Sequence, residues 1–344
     1  MTTMLAAQLV APGKPLAITR VPVPTPGRDE VLVAVRACGL CGTDLHLAVV
    51  GDLPVARTPI TLGHEAAGVI ARLGADVDGL SVGQRVAMFP ADWCGRCRFC
   101  LAGRPSLCDN SKVYGMSRDG ALAEFVSVPA RTLVPLPDVI DFPVAAVVTD
   151  GVATPFHALR TRGQLRAGET VGVFGCGGLG THAIMLARLM GAARIVAVDP
   201  DEHARDRALR LGADVALDPG ETDVPREVRA FGGLDLALEF VGRPATSEQA
   251  MRSLGKMGRA VLVGVGPGGP ALPSLAAFVG REQQVMGSFG MDPADIVDLY
   301  SLIAAGRLDL SGSVSARYPL SAADEALRHL ASRDGGVVRV VVEP

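Results

Sequence analysis

The sequence predicts an α/β protein in which a doubly wound parallel sheet is inserted into a β-rich domain. Short β-rich runs, broken by glycine, proline and aspartate, fill roughly the first 150 residues. From Thr170 onward, buried-strand runs alternate with helical stretches, which is typical of a parallel sheet with helices on both faces. After about Met286 the chain carries another amphipathic helix and a final strand, so we expect it to return to the first domain.

The individual elements follow from composition and periodicity. In the first domain, residues 31–35 and 68–71 are rich in β-branched side chains, as strands are. The inserted segment has predicted strands at 171–174, 195–198, 236–240 and 260–263, and predicted helices at 181–190 and 202–211. The tail has a predicted helix at 322–332 and a predicted strand at 337–342. We therefore place the first domain at 1–151, the inserted domain at 152–286 and the returning segment at 287–344.

Composition limits the class of protein. A chain of 344 residues is long for a single core, and 49% hydrophobic with 20% charged residues describes a globular protein. The net charge of −3 gives no basic face for nucleic acid. The sequence has no run of about 18 apolar residues for a membrane helix, and its N-terminus lacks the basic region of an export signal. We expect a cytoplasmic protein with a small-molecule substrate and neither nucleic acid nor membrane as partner.

Four of the seven cysteines lie close together and predict a structural metal site. Cys94, Cys97, Cys100 and Cys108 follow the spacing C-x2-C-x2-C-x7-C, within the lobe 93–109. Four thiolates form a closed tetrahedral site that suits structural zinc. An iron–sulfur cluster is the alternative, but its bacterial run places the fourth cysteine three residues on and follows it with proline. Unligated thiols are the second alternative.

A glycine-rich turn between a strand and a helix predicts a dinucleotide site. Gly175, Gly177, Gly178, Leu179 and Gly180 lie in G-x-G-x-x-G directly after the strand at 171–174, and Asp199 ends the next strand. The glycines allow the tight turn, the approach of backbone to pyrophosphate and the packing of helix on strand. A purely structural turn is the alternative.

The acidic residue that ends the second strand predicts the choice of cofactor. The Asp199 carboxylate accepts hydrogen bonds from a ribose hydroxyl but repels a 2′-phosphate, by about 4 kcal/mol at 4 Å and an effective dielectric near 20. Neither of the next two residues, Pro200 and Asp201, is an arginine that would relieve this repulsion. The sequence therefore predicts NAD rather than NADP.

Two further motifs carry a resemblance to a known family. Cys41 is followed by Gly-Thr-Asp-Leu-His, and the pattern G-H-E-x2-G-x5-G-x2-V runs from Gly63 to Val77. This pattern resembles the zinc signature of the zinc-dependent medium-chain alcohol dehydrogenases. The four-cysteine lobe, the central glycine motif and the order of segments are similar to that family over nearly the whole chain. The resemblance implies a GroES-like catalytic domain and a Rossmann domain that binds NAD.

The resemblance also implies a second, catalytic zinc ion. It makes Cys41 and His64 ligands of that ion, whereas Cys38 has a weaker claim. Many members supply a cysteine as the third ligand, but residues 148–154 contain none, and Asp150 stands in its place. A carboxylate is a competent zinc ligand; a helix N-cap is the alternative role for Asp150. Glu65 is similar to a residue that approaches the metal transiently.

The same resemblance implies a proton relay. Thr43 is similar to the hydroxyl residue that takes the proton of an alcohol bound to the zinc, and His46 to the histidine at the solvent end. We expect Asp44 to accept a hydrogen bond from the ring of His64 and fix its tautomer. A simple turn after a strand is the alternative for Thr43 and Asp44.

Several other positions are assigned by resemblance alone. Thr154 is similar to a residue beneath the nicotinamide ring, Val265 lies in the region that contacts the carboxamide, and Arg339 is similar to an arginine that reaches the pyrophosphate. Some relatives have a basic residue where this chain has Gly42, which removes one phosphate contact. Trp93, the only tryptophan, lines a substrate pocket or packs in the core.

Together these features predict an NAD-dependent alcohol dehydrogenase with two zinc ions per chain. A polyol or amino-polyol dehydrogenase is the alternative within the class. A non-catalytic protein that binds zinc and nucleotide is the alternative outside it, although such a protein has no need of the relay residues. The resemblance suggests a homodimer or homotetramer.

Overall fold

A computed structural model describes residues 2–332 and 336–344 and divides into two compact units. The first unit comprises Met1–Gly151 and Asp292–Pro344, and the second comprises Val152–Met291. The sequence places the end of the inserted domain at residue 286, which falls within a strand of the second unit. The inserted segment continues to Met291 because that strand completes the sheet of the second unit.

The first stretch of the chain is mainly β-structure. It has three short helices, α1 (Gly42–Leu45), α2 (Arg98–Leu101) and α3 (Phe142–Val147). Its ten strands are β1 (Thr3–Leu9), β2 (Ala17–Pro22), β3 (Glu30–Leu40), β4 (Ile60–Thr61), β5 (Glu65–Leu73), β6 (Arg85–Met88), β7 (Ala91–Asp92), β8 (Lys112–Val113), β9 (Phe125–Pro129) and β10 (Leu133–Pro135).

In the second unit, strands and helices alternate. The strands are β11 (Thr170–Phe174), β12 (Arg194–Val198), β13 (Val215–Leu217), β14 (Leu234–Glu239), β15 (Leu254–Leu262) and β16 (Gln284–Gly287). The helices are α4 (Ala153–His157), α5 (Gly178–Leu189), α6 (Glu202–Arg210), α7 (Val224–Arg229), α8 (Pro244–Arg252) and α9 (Leu275–Gly280). The returning tail adds α10 (Pro293–Ala304), β17 (Val314–Pro319), α11 (Ala323–Ser332) and β18 (Arg339–Glu343).

The two strands of the tail, β18 and β17, extend one end of the main sheet of the first unit. This sheet has the order β10-β6-β5-β3-β18-β17, and β9 also pairs with β3. β18 is antiparallel to β3 and parallel to β17. Side chains from both ends of the chain share one core, among them Leu40, Met88 and Val340. Each large apolar side chain that is fully buried there contributes about 1.5–3 kcal/mol.

The second unit contains a six-stranded parallel sheet. Its order is β13-β12-β11-β14-β15-β16, and every strand pair is parallel. The strand order reverses at β11, since β12 lies on one side of it and β14 on the other. In doubly wound sheets, ligands bind beyond the carboxyl ends of the strands at such a switch point. The predicted fold class is confirmed, and the glycine-rich turn follows the strand at the switch point.

One long helix, Phe142–Arg162, includes α3 and α4 and two wider π-helical turns. Asp141 caps its start by accepting a hydrogen bond from the Val144 N–H at 3.3 Å. By length and composition the helix could cross a membrane, but 83% of its most apolar window is buried in the protein. Core helices pass the same test, so this is weak evidence for a membrane span.

Candidate metal and dinucleotide sites

Three segments of the first unit bring four metal-ligating side chains together. Cys41 follows β3 at the start of α1, His64 and Glu65 lie where β5 begins, and Asp150 lies in a π-helical turn. One ligand atom from each of the four lies within 4.8 Å of those of the others. The distance from His64 Nε2 to Cys41 Sγ is 3.1 Å, and that to Asp150 Oδ2 is 3.8 Å. Sequence-distant residues thus form one cluster of sulfur, nitrogen and oxygen donors.

Asp150 does not cap a helix. It lies inside the Phe142–Arg162 helix, in the π-helical turn Val148–Val152. π-Helical turns inside α-helices are frequent at functional sites because the extra residue re-aims a side chain. The N-cap alternative for Asp150 is therefore wrong, and the turn directs its carboxylate to the cluster.

The donor set fits a zinc ion. Thiolate, imidazole and carboxylate are the three zinc ligand types, and three protein ligands leave one position open. Burial raises the pKa of the Cys41 thiol, against the effect of His64. Burial alone would lower the pKa of His64, but the negative groups of Cys41 and Asp150 outweigh burial and raise it well above its usual value. A divalent cation would compensate this buried negative charge.

Glu65 is held by a buried ion pair that the sequence did not indicate. Its Oε1 pairs with Nη2 of Arg339, which is only 3% exposed. Burial raises the pKa of Glu65 to about 7, although Arg339 lowers it. A Cβ at Gly39 would lie 2.3 Å from Oε2 of Glu65, and one at Gly151 would lie 2.9 Å from Cζ of Arg339. The two glycines make the space for the pair.

This ion pair changes the interpretation of Arg339. The resemblance assigns that side chain to the pyrophosphate of the cofactor. In the structure the guanidinium is buried in the first unit, beside Glu65 and Gly151. Its observed role is to neutralise Glu65, and the pyrophosphate contact stays a prediction.

The expected hydrogen bond between Asp44 and His64 is not formed. Asp44 Oδ1 lies 4.0 Å from His64 Nδ1, beyond hydrogen-bond distance. Asp44 instead accepts a hydrogen bond from the Cys41 N–H at 3.0 Å and is fully buried. Burial raises the pKa of Asp44, opposed by the nearby His64. Asp44 fixes the turn that carries Cys41 and acts on His64 through its charge.

The two relay candidates lie on the same turn. The Thr43 N–H donates to Cys41 Sγ at 3.2 Å, so Thr43 is adjacent to a ligand atom. His46 lies one residue after α1, and its side chain is 40% exposed. His46 Nδ1 is 2.9 Å from Oδ1 of Asp52, a contact that sequence analysis missed. This contact leaves Nε2 of His46 for other partners.

The cysteine lobe forms a second cluster in the first unit. One sulfur each from Cys94, Cys97, Cys100 and Cys108 lies within 4.8 Å of the other three. The Cys97 and Cys100 sulfurs are 3.4 Å apart. Main-chain N–H groups of Arg96 and Cys97 lower the pKa of Cys94 to about 6, which favours the thiolate that binds metal. The cluster is compatible with a closed structural zinc site.

Two other residues considered in the sequence analysis, Cys38 and Trp93, have packing roles in the structure. Cys38 is fully buried outside the four-residue catalytic cluster, and burial raises its pKa well above the usual value. Trp93 packs edge-on against Phe89, with ring centroids 5.1 Å apart. Cys38 is thus a core residue, and the contact found for Trp93 is packing.

The glycine-rich turn has the close packing that its sequence predicts. Gly175 has a φ of +88°, in the left-handed region that favours glycine. A Cβ at Gly180 would lie only 1.8 Å from the Gly175 carbonyl oxygen. Gly177 caps α5, whose first residues are Gly178 and Leu179. The first N–H groups of a helix lack partners within it and attract phosphate.

Asp199 lies beside this turn, together with two arginines that the sequence analysis missed. Its Oδ2 accepts a hydrogen bond from the Cys176 N–H at 2.7 Å. Arg205 donates to the Asp199 carbonyl oxygen at 2.8 Å and pairs with Asp218 at 3.0 Å. Arg207 donates to the Cys176 carbonyl oxygen at 2.9 Å. The two residues after Asp199 are not arginines, as the sequence shows, but α6 places Arg205 against the main chain of Asp199 and Arg207 against that of the glycine-rich turn.

The last two predicted cofactor contacts lie in the same unit. Thr154 is buried in α4. Val265 follows β15 and is 67% exposed, and its backbone lies against Gly242. The exposure of Val265 suits a contact with a ligand.

Comparison with known families matches both units. Residues 27–138 match the family described as "Alcohol dehydrogenase GroES-like domain". Residues 178–305 match the family described as "Zinc-binding dehydrogenase".

Individual proteins are similar over nearly the whole chain. The NAD-dependent alcohol dehydrogenase of Sulfurisphaera tokodaii is 34% identical, over 95% of this chain and 96% of that protein. The sorbitol dehydrogenase of Bacillus subtilis is 31% identical, over 95% of this chain and 94% of that protein. The crystal structure of a zinc-binding dehydrogenase from Sinorhizobium meliloti, bound to NADP, is 33% identical with a TM-score of 0.90 and covers 100% of both chains.

Proposed function

Because the chain belongs to the zinc-dependent medium-chain alcohol dehydrogenase family, we propose that it is an NAD-dependent enzyme that interconverts an alcohol and an aldehyde or ketone. The family places it among the oxidoreductases. The observation that carries the proposal is the cluster of Cys41, His64 and Asp150 in the first unit. Relatives that act on different alcohols share this family, so the NAD-linked alcohol specificity rests on the site residues.

The first unit would supply the metal and acid–base chemistry. Cys41, His64 and Asp150 would hold the ion, with Glu65 as an occasional fourth donor. A zinc ion held there would supply Lewis-acid chemistry, which makes an alcohol more acidic or polarises a carbonyl oxygen. Thr43 would accept the alcohol proton and pass it toward His46. Since Asp52 engages Nδ1 of His46, the ring would exchange that proton with water at Nε2.

The second unit would hold NAD, which supplies the hydride acceptor. Gly175, Gly177, Gly178, Leu179 and Gly180 would form the pyrophosphate site, and Asp199 would accept hydrogen bonds from the adenosine ribose. Thr154 and Val265 would contact the nicotinamide. The four-cysteine lobe would hold a structural zinc ion.

A metal and activity assay tests this function. The purified protein should contain two zinc ions per chain and reduce NAD with at least one member of a panel of primary, secondary and polyhydric alcohols. A chelator should remove the catalytic ion and abolish turnover while the circular dichroism spectrum stays largely unchanged. Serine at Cys94 or Cys108 should instead lower soluble yield and stability, as loss of a structural site does. Iron in place of zinc, or full turnover after the catalytic ion is removed, would contradict the assignment.

Polyols are the second candidate class of substrate. The similarity to a sorbitol dehydrogenase favours a polyol or amino-polyol, which needs the same metal and relay residues. The same panel separates the two, because a polyol dehydrogenase should show a much higher kcat/KM for sorbitol than for simple alcohols. A protein that binds zinc and NADH but turns over no member of the panel would be a non-catalytic relative.

Asp199 should give a strong preference for NAD over NADP in kcat/KM. Its carboxylate would lie against a 2′-phosphate, whereas Arg205 and Arg207 are already engaged by main-chain carbonyl oxygens. Replacing Asp199 with glycine should reduce the ratio of kcat/KM for NAD to that for NADP, chiefly because NAD binds more weakly. The expected decrease in kcat/KM for NAD is about tenfold, the effect of one charged hydrogen bond. Steady-state kinetics with both cofactors checks this. A wild-type enzyme that favours NADP would overturn the role of Asp199. Asp206→Gly on α6 is the matched control and should keep the cofactor preference of the wild type.

We also propose a cytoplasmic homodimer or homotetramer. β16 is an edge strand of the parallel sheet, and edge strands present free backbone groups for pairing. Leu275 and Val279 of α9 are well exposed, which favours burial against a second copy. The seven cysteines are unbonded to one another, as suits a reducing compartment. Light scattering that finds a monomer at micromolar concentration would contradict the assembly, and cell fractionation tests the location.

A further inference from the structure

The two peptide groups that flank the Cα of Cys176, inside the glycine-rich turn, are each held by side-chain hydrogen bonds. Its N–H donates to Oδ2 of Asp199 at 2.7 Å. Its carbonyl oxygen accepts from Nη2 of Arg207 at 2.9 Å and from the Thr181 hydroxyl at 3.1 Å. The Nε of Arg207 also donates to the Thr181 hydroxyl at 3.3 Å. Three side chains from α5, α6 and the end of β12 therefore fix the orientation of two consecutive peptide groups.

The partial burial of Arg207 costs hydration free energy that a fully exposed arginine keeps. Its helix packs through Ala204 and Ala208, which are buried, and this brings Arg207 under the turn rather than into water. Desolvation lowers the pKa of Arg207, although Cys176 and Asp199 oppose the shift. A charged donor to a carbonyl oxygen contributes more than a neutral one, which offsets part of the desolvation.

The orientation of these two peptide groups sets the geometry of the phosphate site. Gly177, the next residue, caps α5, and Gly178 is the first residue of that helix. The first N–H groups of a helix have no partner within the helix and can bind a phosphate. If the peptide group between Cys176 and Gly177 rotated, these N–H groups would turn away from the ligand. A glycine-rich turn has high conformational freedom. Hydrogen bonds that fix the backbone of Cys176 before the ligand arrives therefore reduce the conformational entropy that the turn loses on binding.

We propose that Arg207 is a positioning residue of the dinucleotide site, which holds the glycine-rich turn in the conformation that binds pyrophosphate. This inference rests on the proposed NAD-binding function of the second unit. It distinguishes two roles: Asp199 recognises the ribose and holds the N–H of Cys176, whereas Arg207 acts on the phosphate site through the carbonyl oxygen of Cys176.

Binding of cofactor fragments by calorimetry tests the proposal without turnover. Arg207→Met should raise the Kd for ADP-ribose about tenfold, as expected for loss of one charge-assisted hydrogen bond. The Kd for adenosine, which has no phosphate, should change less than about twofold, because Asp199 is retained. Arg207→Lys keeps one charged donor and should recover part of the affinity for ADP-ribose. Arg210→Met, an exposed arginine on the same helix, is the matched control and should bind like the wild type.

The outcomes are distinguishable. Wild-type affinity for ADP-ribose in Arg207→Met would overturn the proposal. An equal loss for adenosine and ADP-ribose, together with a lower Tm, would show a general packing role and would also overturn it. If the wild-type protein itself binds neither ADP-ribose nor NADH, the proposed function fails, independently of Arg207.

Discussion

Replacing Asp150 with asparagine is expected to remove most of the catalytic zinc and to lower kcat/KM by at least about 100-fold, more than loss of a supporting contact would. The amide keeps the shape of the side chain but has no negative charge. The remaining donors, Cys41 and His64, lie 3.1 Å apart and cannot complete a three-ligand site. Elemental analysis of the purified variant, beside steady-state kinetics, measures both effects.

Two further variants identify the third ligand. Asp150→Cys should keep some zinc with altered kinetics, since thiolate also suits the ion. Asp141→Asn removes an exposed carboxylate from the start of the same helix and should leave zinc content and activity unchanged. Full zinc occupancy and normal kcat in Asp150→Ala would assign the third position elsewhere. Glu65 is then the candidate, because its Oε2 is buried with no hydrogen-bond partner among the described residues.

Thr43→Val should nearly abolish alcohol oxidation, because valine keeps the shape of threonine but cannot accept or pass a proton. The change leaves the Thr43 N–H, which donates to Cys41 Sγ, in place. Zinc content should therefore stay at the wild-type level while kcat falls by up to about 10⁴-fold, the upper end of an acid–base contribution. Thr43→Ser retains the hydroxyl and should retain most of the activity. A normal kcat in the valine variant would remove Thr43 from the mechanism.

His46 is at the exposed end of the same route, where water and buffer can replace it. His46→Gln should cost only about ten- to a hundredfold, a part of the usual acid–base contribution. The loss should be largest at low pH, where hydroxide, the competing acceptor, is scarce. Small diffusible bases such as imidazole should restore part of the rate. An unchanged pH profile without any rescue would mean that the proton leaves by another path.

The order of elements could be predicted from the sequence because it depends on local patterns. The alternation of strands and helices from Thr170 onward gave the doubly wound sheet, and the structure has it. The end of that segment was less predictable. β16 is a four-residue edge strand with no buried side chain, so little periodicity marks it as part of the sheet. Hence the predicted boundary at 286 cut the strand.

The site was predictable where one short segment carries the signal. The cysteine lobe and the glycine-rich turn needed only local spacing, and their residues do converge. Contacts that join distant segments were not predictable. The ion pair of Glu65 and Arg339 depends on β18 lying beside β3, and the contact of Arg207 depends on how α6 faces the turn. The distance between Asp44 and His64 is likewise set by tertiary packing.

The position of β18 between β3 and β17 in the main sheet affects the order in which the two units fold during biosynthesis. The second unit is a continuous stretch and can fold while the ribosome is still making the rest. The main sheet of the first unit is incomplete until the last residues emerge. Until then, Glu65 has no ion pair with Arg339. A truncated chain that ends after residue 291 should thus have a protease-resistant second unit and a protease-sensitive first unit, which limited digestion would reveal. Cellular proteases would then act mainly on the metal-binding first unit, and a frameshift in the final codons would disrupt the sheet of that unit through the loss of β18.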